Sequence, residues 1–375
     1  MKGNEISRRK FIKLTGGLAL ASTVPGCLKE IDFSGDEVSF TDLSGREVSV
    51  EAPVDRIVST YNFDELVAVG GEGVFDKTVG HSEYWDRFSP SVWDKYTNKF
   101  PQLEEIPNVG YRDDVDVEHV ISLDPDVVIT SKGHYGSYTN IYNRISNAGI
   151  PVVALNYHEE SIEDRKKSTE LLGVILGKED RAQKLWEYCE ERYNEVFSRL
   201  ETINNSKPRV YLECRFMDYS DDIGTTYGDT NWGAMIKQCR GENIAAGKGE
   251  NPTLSEEYIL KMNPEVFIVE GVNWTDALGY TPDLEERDVL DNIEETYFNR
   301  SGWRDLTAWK ERNYHAIHHA FFRSISDFIG YQFIAKVCYP SEFKDINPEK
   351  SWKEFHNEFL PIDYSGSWLI DSETA

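Results

Sequence analysis

The sequence predicts an α/β protein with two Rossmann-like lobes, each built on a parallel-rich sheet, joined by a long inter-lobe helix. An internal repeat is the first sign, because residues 117–129 match residues 256–268 at a constant offset. Each copy contains a short helix pattern, a turn marked by proline and an apolar run typical of a buried parallel strand. The length of 375 residues also exceeds the usual size of one domain.

Residues 1–27 are typical of an export signal rather than of a folded segment. Arg8 and Arg9 with the following residues resemble a Tat signal, and residues 14–24 form a short apolar run that cannot span a membrane. A small residue precedes Cys27, as in a lipobox, so we expect lipidation of this cysteine and anchoring at the outer face of the cytoplasmic membrane. A retained signal anchor and a cytosolic protein with a basic start are the alternatives.

The two lobes follow in order after a short tether at residues 28–37. The first lobe is predicted at 38–157, with a strand at 56–60 and a helix closed by Gly70 and Gly71. The second lobe is predicted at 207–375. It has the same plan, with a strand at its start and a helix closed by Gly241.

The linking segment at residues 158–206 is predicted to be helical. It is rich in Glu, Lys, Arg and Leu, and from Ser161 to about Asn204 it lacks proline and carries apolar residues at helical spacing. We favour one long helix, straight or kinked, that bridges the lobes. Gly173 and Gly177 weaken a continuous helix, so a hairpin of two helices is the alternative.

The charge of the chain excludes several classes of partner. The net charge is −26, and removing residues 1–26 takes away five basic side chains and one acidic one, which leaves −30. So acidic a protein does not bind nucleic acid and is not held to a membrane by electrostatic attraction. The acidity fits a salt-rich habitat or a basic partner, and a mean hydropathy of −0.53 argues against further membrane spans.

The remaining cysteines do not form a recognisable metal or cluster motif. Cys189, Cys214, Cys239 and Cys338 lack CxxC or metal-ligand spacing, so we favour buried free thiols over a disulfide framework.

Ordered sequence blocks across residues 38–362 resemble one family. The matching blocks are residues 40–48, the strand at 56–58, the two repeat copies, and residues 241–246 and 335–340. Together they resemble the class III substrate-binding proteins of ABC importers, which carry ferric siderophores, haem and cobalamin. The resemblance implies two lobes joined by one rigid helix, with the ligand in the cleft between them.

Aromatic and cationic side chains cluster in the loops after the predicted strands. Ligands of open parallel sheets lie beyond the carboxyl ends of strands, so we expect these side chains in the cleft. The candidate ligand-binding residues are Tyr61, Asn62, His81, Tyr84, Trp85, Tyr111, Arg112, Lys132, Tyr135, Arg215, Tyr227, Trp232, Trp274 and Arg323. Aromatic walls bury a chelate-like ligand, and arginines hold its anionic oxygens.

Three of these residues, Arg112, Arg215 and Arg323, are predicted to pair with the charge of the ligand. Arg112 precedes Asp113 and Asp114, so a surface ion pair is the alternative for this residue. Arg215 directly follows a buried strand, which favours the cleft.

The histidines are weaker candidates, and we assign no direct metal ligand. His318 and His319 on one strand would point to opposite faces, so at most one of them is expected to face the cleft. Coordination by His81, His134 or His319 is an alternative to ordinary loop and packing roles.

Glu118 and Glu257 occupy matching positions of the repeat, near a helix start in each lobe. In the resembled family, glutamates at these positions form salt bridges with arginines of the two permease subunits. The resemblance therefore implies docking, and stabilisation of the helix dipole is the structural alternative.

We expect a lipid-anchored binding protein, monomeric and without enzymatic activity or a resident cofactor. It would capture an iron(III)-siderophore or similar metal chelate and deliver it to an ABC permease dimer with its ATPase subunits. A corrinoid such as cobalamin is the first alternative, and haem is the second. A metallocluster enzyme on a nitrogenase-like two-lobe fold is the alternative from another class. The chain has no HExxH, GxSxG, P-loop or GxGxxG motif.

Overall fold

Three β-sheets organise the chain in the computed structural model. The residues that the structure describes are 31–34, 37–61, 63–82, 90–159, 161–204, 206–215, 223–271, 278–280 and 286–372. Among them, no helix is both long enough and apolar enough to cross a membrane.

The first sheet is a small antiparallel meander at the amino-terminal end of the described chain. Its strands are β1 (Asp32–Ser34), β2 (Glu37–Thr41) and β3 (Glu47–Glu51). Alternate residues of β2 are buried, which gives this strand one face toward the core. The turn between β2 and β3 is held by Asp42, whose carboxylate accepts the backbone N–H groups of Ser44, Arg46 and Ala154.

The second sheet forms the first lobe and is wholly parallel, in the order β5-β4-β6-β7. Its strands are β4 (Ile57–Ser59), β5 (Thr78–His81), β6 (Val127–Ser131) and β7 (Val152–Leu155). The helices of this lobe are α1 (Phe63–Gly70), α2 (Pro90–Lys99), α3 (Val117–Ser122), α4 (Lys132–Ser137) and α5 (Thr139–Asn147). Strands β4, β6 and β7 are entirely buried, as expected for a parallel sheet covered by helices.

The linking segment forms two helices, α6 (Ile162–Leu176) and α7 (Glu179–Thr202). Gly177 ends α6 in the left-handed conformation at φ 63°, and α7 folds back, so that Lys166 Nζ lies 3.7 Å from Glu190 Oε1. One continuous helix is therefore wrong, and the hairpin alternative is correct. Helix α6 packs on α1, whereas the 24-residue α7 packs on the second lobe and is the long connecting helix of the predicted fold class.

The third sheet forms the second lobe, in the order β12-β11-β10-β8-β9. Its strands are β8 (Arg209–Cys214), β9 (Glu242–Asn243), β10 (Val266–Gly271), β11 (Tyr314–His318) and β12 (Leu369–Asp371), and β12 alone among these is antiparallel to its neighbour. The helices are α8 (Trp232–Gln238), α9 (Glu256–Met262), α10 (Glu286–Thr296), α11 (Thr307–Lys310), α12 (Phe328–Cys338) and α13 (Pro348–Phe359). The two parallel-rich sheets confirm the predicted fold class.

The internal repeat appears as two equivalent helix–turn–strand units, α3 to β6 and α9 to β10. Asp124 and Asn263 occupy the same turn position with φ of 46° and 44°. An arginine at the start of the neighbouring strand closes each turn. Arg56 Nε donates to the Asp124 carbonyl at 2.7 Å, and Arg209 Nη2 donates to the Asn263 carbonyl at 3.1 Å. The similarity of sequence therefore corresponds to similarity of atomic contacts.

The four cysteines are buried free thiols, as the sequence analysis favoured. Burial raises the pKa of the Cys338 thiol to about 12 and that of the Cys189 and Cys239 thiols well above the usual value. These thiols are therefore protonated at neutral pH and are not reactive.

Candidate ligand-binding site

A cavity of about 650 Å³ lies between the two lobes, at the carboxyl ends of their parallel strands. Its walls come from the segments after β4, β5, β6 and β7 on one side and after β8, β9 and β11 on the other. This is the position where open parallel sheets bind ligands, since the loops of neighbouring strands converge there. Six predicted ligand-binding residues line the cavity, namely Tyr61, His81, Tyr111, Arg112, Tyr227 and Arg323.

Two predicted residues of the first lobe lie outside the cavity wall. Lys132 forms an ion pair with Glu159, with Nζ 2.6 Å from Oε2, and it is Glu159 that lines the cavity. The ring of Tyr135 lies 3.7 Å below the guanidinium of Arg46, and its hydroxyl donates to Asn143. The structure thus places both side chains in contacts within the first lobe.

Two predicted residues of the second lobe are buried in its interior. Arg215 is 2% exposed, and its Nη2 lies 2.6 Å from the Glu213 carboxylate, which Arg300 also holds through two hydrogen bonds. Arg215 therefore shares the Glu213 carboxylate with Arg300 inside the second lobe, and it does not line the cavity. Trp232 is fully buried and packs against Phe322, so it supports the cavity wall from behind.

The remaining predicted ligand-binding residues, Asn62, Tyr84, Trp85 and Trp274, lie outside the described residues, as does Cys27.

Arg112 lies in a tight backbone turn of the first lobe, residues 110–114, which we call the Arg112 corner. Its backbone is in the left-handed region at φ 58°, and its guanidinium lies 4.9 Å from the ring centroid of Tyr111. The corner requires Gly110, because this residue has φ 86° and a Cβ there would lie 2.2 Å from the Asp114 carbonyl oxygen. The surface pairing considered for Arg112 with Asp113 and Asp114 is not among the ion pairs of the described residues.

Arg323 stands at a similar corner of the second lobe. Its φ is also 58°, and its guanidinium lies 4.8 Å from the ring centroid of the preceding Phe322. One guanidinium nitrogen donates to the Asn231 amide oxygen. Each lobe therefore presents an arginine that follows an aromatic residue and stacks on its ring.

Tyr61 forms an aromatic centre on the first-lobe side of the cavity. The imidazoles of His134 and His158 meet its ring edge-on, with centroids 4.6 and 4.5 Å away, and Tyr111 lies beyond at 6.5 Å. His158 is not among the ligand-binding residues predicted from the sequence. Its position three residues after strand β7 would have identified it by the same carboxyl-end rule.

Three of the cavity histidines, His134, His158 and His318, are neutral at neutral pH. Burial, and then the nearby charges of Arg112 and Arg323, lower the pKa of His134 to about 4. The same kinds of cause hold the pKa of His158 well below its usual value, and burial lowers the pKa of His318 to about 3. Because charges of both arginines reach His134, the two lobes direct their cationic groups into one space.

His318 and His319 both line the cavity, so the expectation that at most one of them faces the cleft is wrong. Strand β11 ends at His318, and a 3-10 turn begins at His319, so the alternation of a strand no longer applies. The His319 Nδ1 contacts the buried Glu270 carboxylate. In the part of the chain that the structure describes, no three His, Cys, Asp or Glu side chains are arranged to hold a metal ion.

Four carboxylate residues, Asp64, Glu65, Glu159 and the exposed Glu250, also line the cavity, and the first three have a bonding partner or a raised pKa. Glu65 Oε1 accepts the Ile325 N–H at 3.1 Å, and Glu159 pairs with Lys132. Burial, and then the charge of Glu65, raise the pKa of Asp64 well above its usual value. Arg112 and Arg323 are therefore the permanent cations among the described residues of the wall.

Glu118 and Glu257 are exposed, and they occupy equivalent positions in two different helices. Each is the second residue of its helix, after an N-cap of Asp116 in α3 or Ser255 in α9. Glu118 pairs with Arg144 at 3.0 Å on the surface. Both carboxylates stabilise a helix N-terminus and remain accessible to a partner.

A sequence profile described as periplasmic binding protein matches residues 57–318. This chain belongs to that family. The matched residues span the sheet of the first lobe, the helix hairpin, and strands β8 to β11 of the second lobe. The resemblance to class III substrate-binding proteins of ABC importers is thereby confirmed.

Individual members of the periplasmic binding protein family agree with this assignment over most of their length. The crystal structure of the TroA-like periplasmic binding protein FepB from Veillonella parvula matches with a TM-score of 0.82 and 29% identity, covering 89% of this chain and 99% of that one. The uncharacterized ABC transporter substrate-binding lipoprotein YvrC of Bacillus subtilis is 25% identical over 318 residues, 82% of this chain and 87% of the relative. The molybdate-binding protein MolA of Haemophilus influenzae is 23% identical over 377 residues, 92% of this chain and 98% of the relative.

Proposed function

We propose that this periplasmic binding protein captures an anionic metal chelate of the iron(III)-siderophore class and delivers it to an ABC permease. The observation that carries the proposal is the pair formed by Arg112 and Arg323, one from each lobe, on the wall of a single cavity. Guanidinium groups bind anionic oxygens through forked hydrogen bonds, and these are stronger than bonds between neutral groups. A ligand that contacts both arginines would also join the two lobes.

The size and lining of the cavity favour a chelate over a bare ion. Small-molecule sites are typically about 300 to 1,000 Å³, and the cavity of about 650 Å³ falls within that range. Tyr61, Tyr111, Tyr227 and Phe322 supply flat apolar surface for an organic ligand. His134, His158 and His318 are neutral, so these three side chains add no positive charge to that of the two arginines.

A small metal oxyanion is the second candidate, because the relative MolA is a molybdate-binding protein and matches 92% of this chain. Two arginines suit such an anion as well, although the cavity would then hold much water. A corrinoid such as cobalamin fits the aromatic surface, but its single phosphodiester anion does not call for two arginines. Haem carries two carboxylates and remains the further alternative.

Export and delivery belong to the same proposal. Tat export and lipid anchoring at Cys27 would hold the protein at the outer face of the membrane, and the name of YvrC as a lipoprotein supports the anchoring. Glu118 and Glu257 would contact the two permease subunits, since equivalent positions on the two lobes match a dimeric partner. The relatives are solute-binding proteins rather than enzymes, which fits an activity of binding alone.

The test is a titration of residues 28–375, followed by intrinsic tryptophan fluorescence with correction for ligand absorbance. The ligands are a trianionic ferric tricatecholate, a neutral ferric trihydroxamate, cobalamin, haemin and molybdate. We expect the tightest binding for the tricatecholate. Arg112→Gln and Arg323→Gln should each weaken it by about tenfold or more, as loss of a charge-assisted hydrogen bond implies.

Arg287→Gln is the matched control, because Arg287 is an exposed surface residue paired with Asp291 and does not line the cavity. Tighter binding of cobalamin that is insensitive to both cavity substitutions would favour the corrinoid. Saturable binding of molybdate alone would favour the oxyanion. Visible colour with acid-labile sulfide in the purified protein would instead favour the metallocluster enzyme.

A further inference from the structure

The segment that carries Arg323 is tied to elements far away in the sequence. The segment comprises residues 319–327. All of residues 319–324 except Phe321 contribute to the cavity wall, and Asp327 is the last residue before helix α12. The backbone of Ile325 makes two of these contacts. Its N–H donates to Glu65 Oε1 of α1 at 3.1 Å, and its carbonyl lies 3.5 Å from Cys189 Sγ of α7. The cavity segment of the second lobe is thus attached to the first lobe and to the helix hairpin.

A buried clasp formed by Arg165, Tyr193 and Asp327 makes the strongest of these attachments. Arg165 Nη2 of α6 lies 2.6 Å from Asp327 Oδ2, and the Tyr193 hydroxyl of α7 donates to the other carboxylate oxygen. Arg165 is 2% exposed and Asp327 is fully buried. Burying charged groups this deeply carries a large free-energy penalty, so the presence of this pair indicates a specific structural role.

The backbone conformation of Arg323, with φ 58°, indicates what this role is. A non-glycine residue in the left-handed region is strained, and it persists only when the surrounding structure fixes it. The contacts of Ile325 and Asp327 fix the chain two and four residues beyond Arg323. None of the three clasp residues lines the cavity, so none of them contacts a ligand there directly.

We infer that Asp327, held by Arg165 and Tyr193, is a positioning residue that sets the preference of the cavity for anionic ligands through Arg323. The inference rests on the proposed function, because its measurable effect is selective affinity for an anionic chelate. A purely structural clasp would stabilise the protein and leave the selectivity of the cavity unchanged.

The experiment is a double-mutant cycle between Asp327→Asn and Arg323→Gln in the mature chain. The quantity measured is the ratio of affinities for the trianionic ferric tricatecholate and the neutral ferric trihydroxamate. We expect Asp327→Asn to lower this ratio by about three- to tenfold, and by less than about twofold when Arg323 is already replaced. Thermal unfolding is recorded for every variant.

Glu213→Gln is the matched control, because Glu213 is an equally buried carboxylate that pairs with arginines but does not line the cavity. It should lower the melting temperature and leave the affinity ratio unchanged. Tyr193→Phe keeps the ion pair and removes one hydrogen bond. It provides a milder variant for the same cycle if Asp327→Asn does not fold, with an expected change of about two- to threefold.

The outcomes separate this inference from the proposed function. If Arg323→Gln lowers the ratio and the clasp variants do not, positioning by the clasp is wrong and the proposed function stands. Equal weakening of both chelates, or the same change of ratio in the Arg323→Gln background, also overturns positioning. If Arg323→Gln itself leaves the ratio unchanged, the charge-based function and the positioning inference are both wrong.

Discussion

The two arginine corners of the cavity have the same local shape but are held in different ways. Arg112 and Arg323 share a φ of 58° and a ring stacked beneath the guanidinium. The first corner is fixed by neighbours in the sequence, with Asp114 donating its N–H to the Tyr111 carbonyl at 3.1 Å. The second also has local bonds, such as that from the Ser324 hydroxyl to the Ala320 carbonyl, but its segment is additionally tied to a buried ion pair and to a carboxylate from the other lobe.

The difference shows that one binding geometry can have a local or a tertiary origin. The corner of Arg112 belongs to the first lobe alone and folds with it. The corner of Arg323 has bonds within the second lobe, to Asn231 and to the Ala320 carbonyl, and it adds contacts with the first lobe and the hairpin. Each corner can therefore be disrupted without changing the other, which allows their contributions to be measured separately.

The largest effect is expected when the local corner is broken by Gly110→Ala. The new Cβ would clash with the Asp114 carbonyl at 2.2 Å, and φ 86° is unfavourable for alanine. We expect a loss of unfolding free energy of about 2 to 3 kcal/mol, together with weaker binding of the anionic chelate. Urea unfolding and fluorescence titration measure the two effects.

Gly136→Ala serves as the control for this substitution, because a Cβ there meets no atom within 4 Å. Retention of both stability and affinity in Gly110→Ala would show that the Arg112 corner does not depend on its glycine.

The pH dependence of stability provides a finer comparison of the corners. His134 has its pKa lowered to about 4 in the folded state, below the ordinary value of 6.5. Between these values the unfolded chain binds more protons, so stability falls as pH falls through this window. From pH 6.5 to 5, this residue should account for a loss of about 2 kcal/mol.

Urea unfolding at both pH values checks the effect, and His134→Gln should reduce the pH dependence, whereas His119→Gln on the surface of α3 should not. Of the two arginine charges that lower the pKa of His134, that of Arg112 is the larger cause. Arg112→Gln should therefore flatten the pH dependence more than Arg323→Gln. The reverse order would place Arg323 as the dominant neighbour of His134.

The smallest effect on binding is expected for the two glutamates at equivalent helix starts. Glu118→Gln combined with Glu257→Gln should change chelate affinity by less than about twofold, because both residues lie outside the cavity. Loss of uptake in cells with affinity retained would support docking on the permease. A loss of affinity in the purified protein would contradict it.

Much of the fold could be predicted because the repeat and the buried strands leave strong patterns in the sequence. The break at Gly177 was uncertain because a glycine inside a helical pattern is compatible with either a helix or a left-handed end. The carboxyl-end rule found Tyr61 and Arg112, but it also selected Arg215. That side chain is buried with Glu213, a contact that strand periodicity alone does not show.

The attachment of the second-lobe segment also has a kinetic consequence. Swinging the lobes widely apart would break the bond between Glu65 and Ile325 and separate Arg165 from Asp327. These contacts therefore oppose a wide separation of the lobes. We therefore expect ligand exchange through the mouth of the cavity with the lobes in contact, and a residence time that depends on the contacts at that mouth.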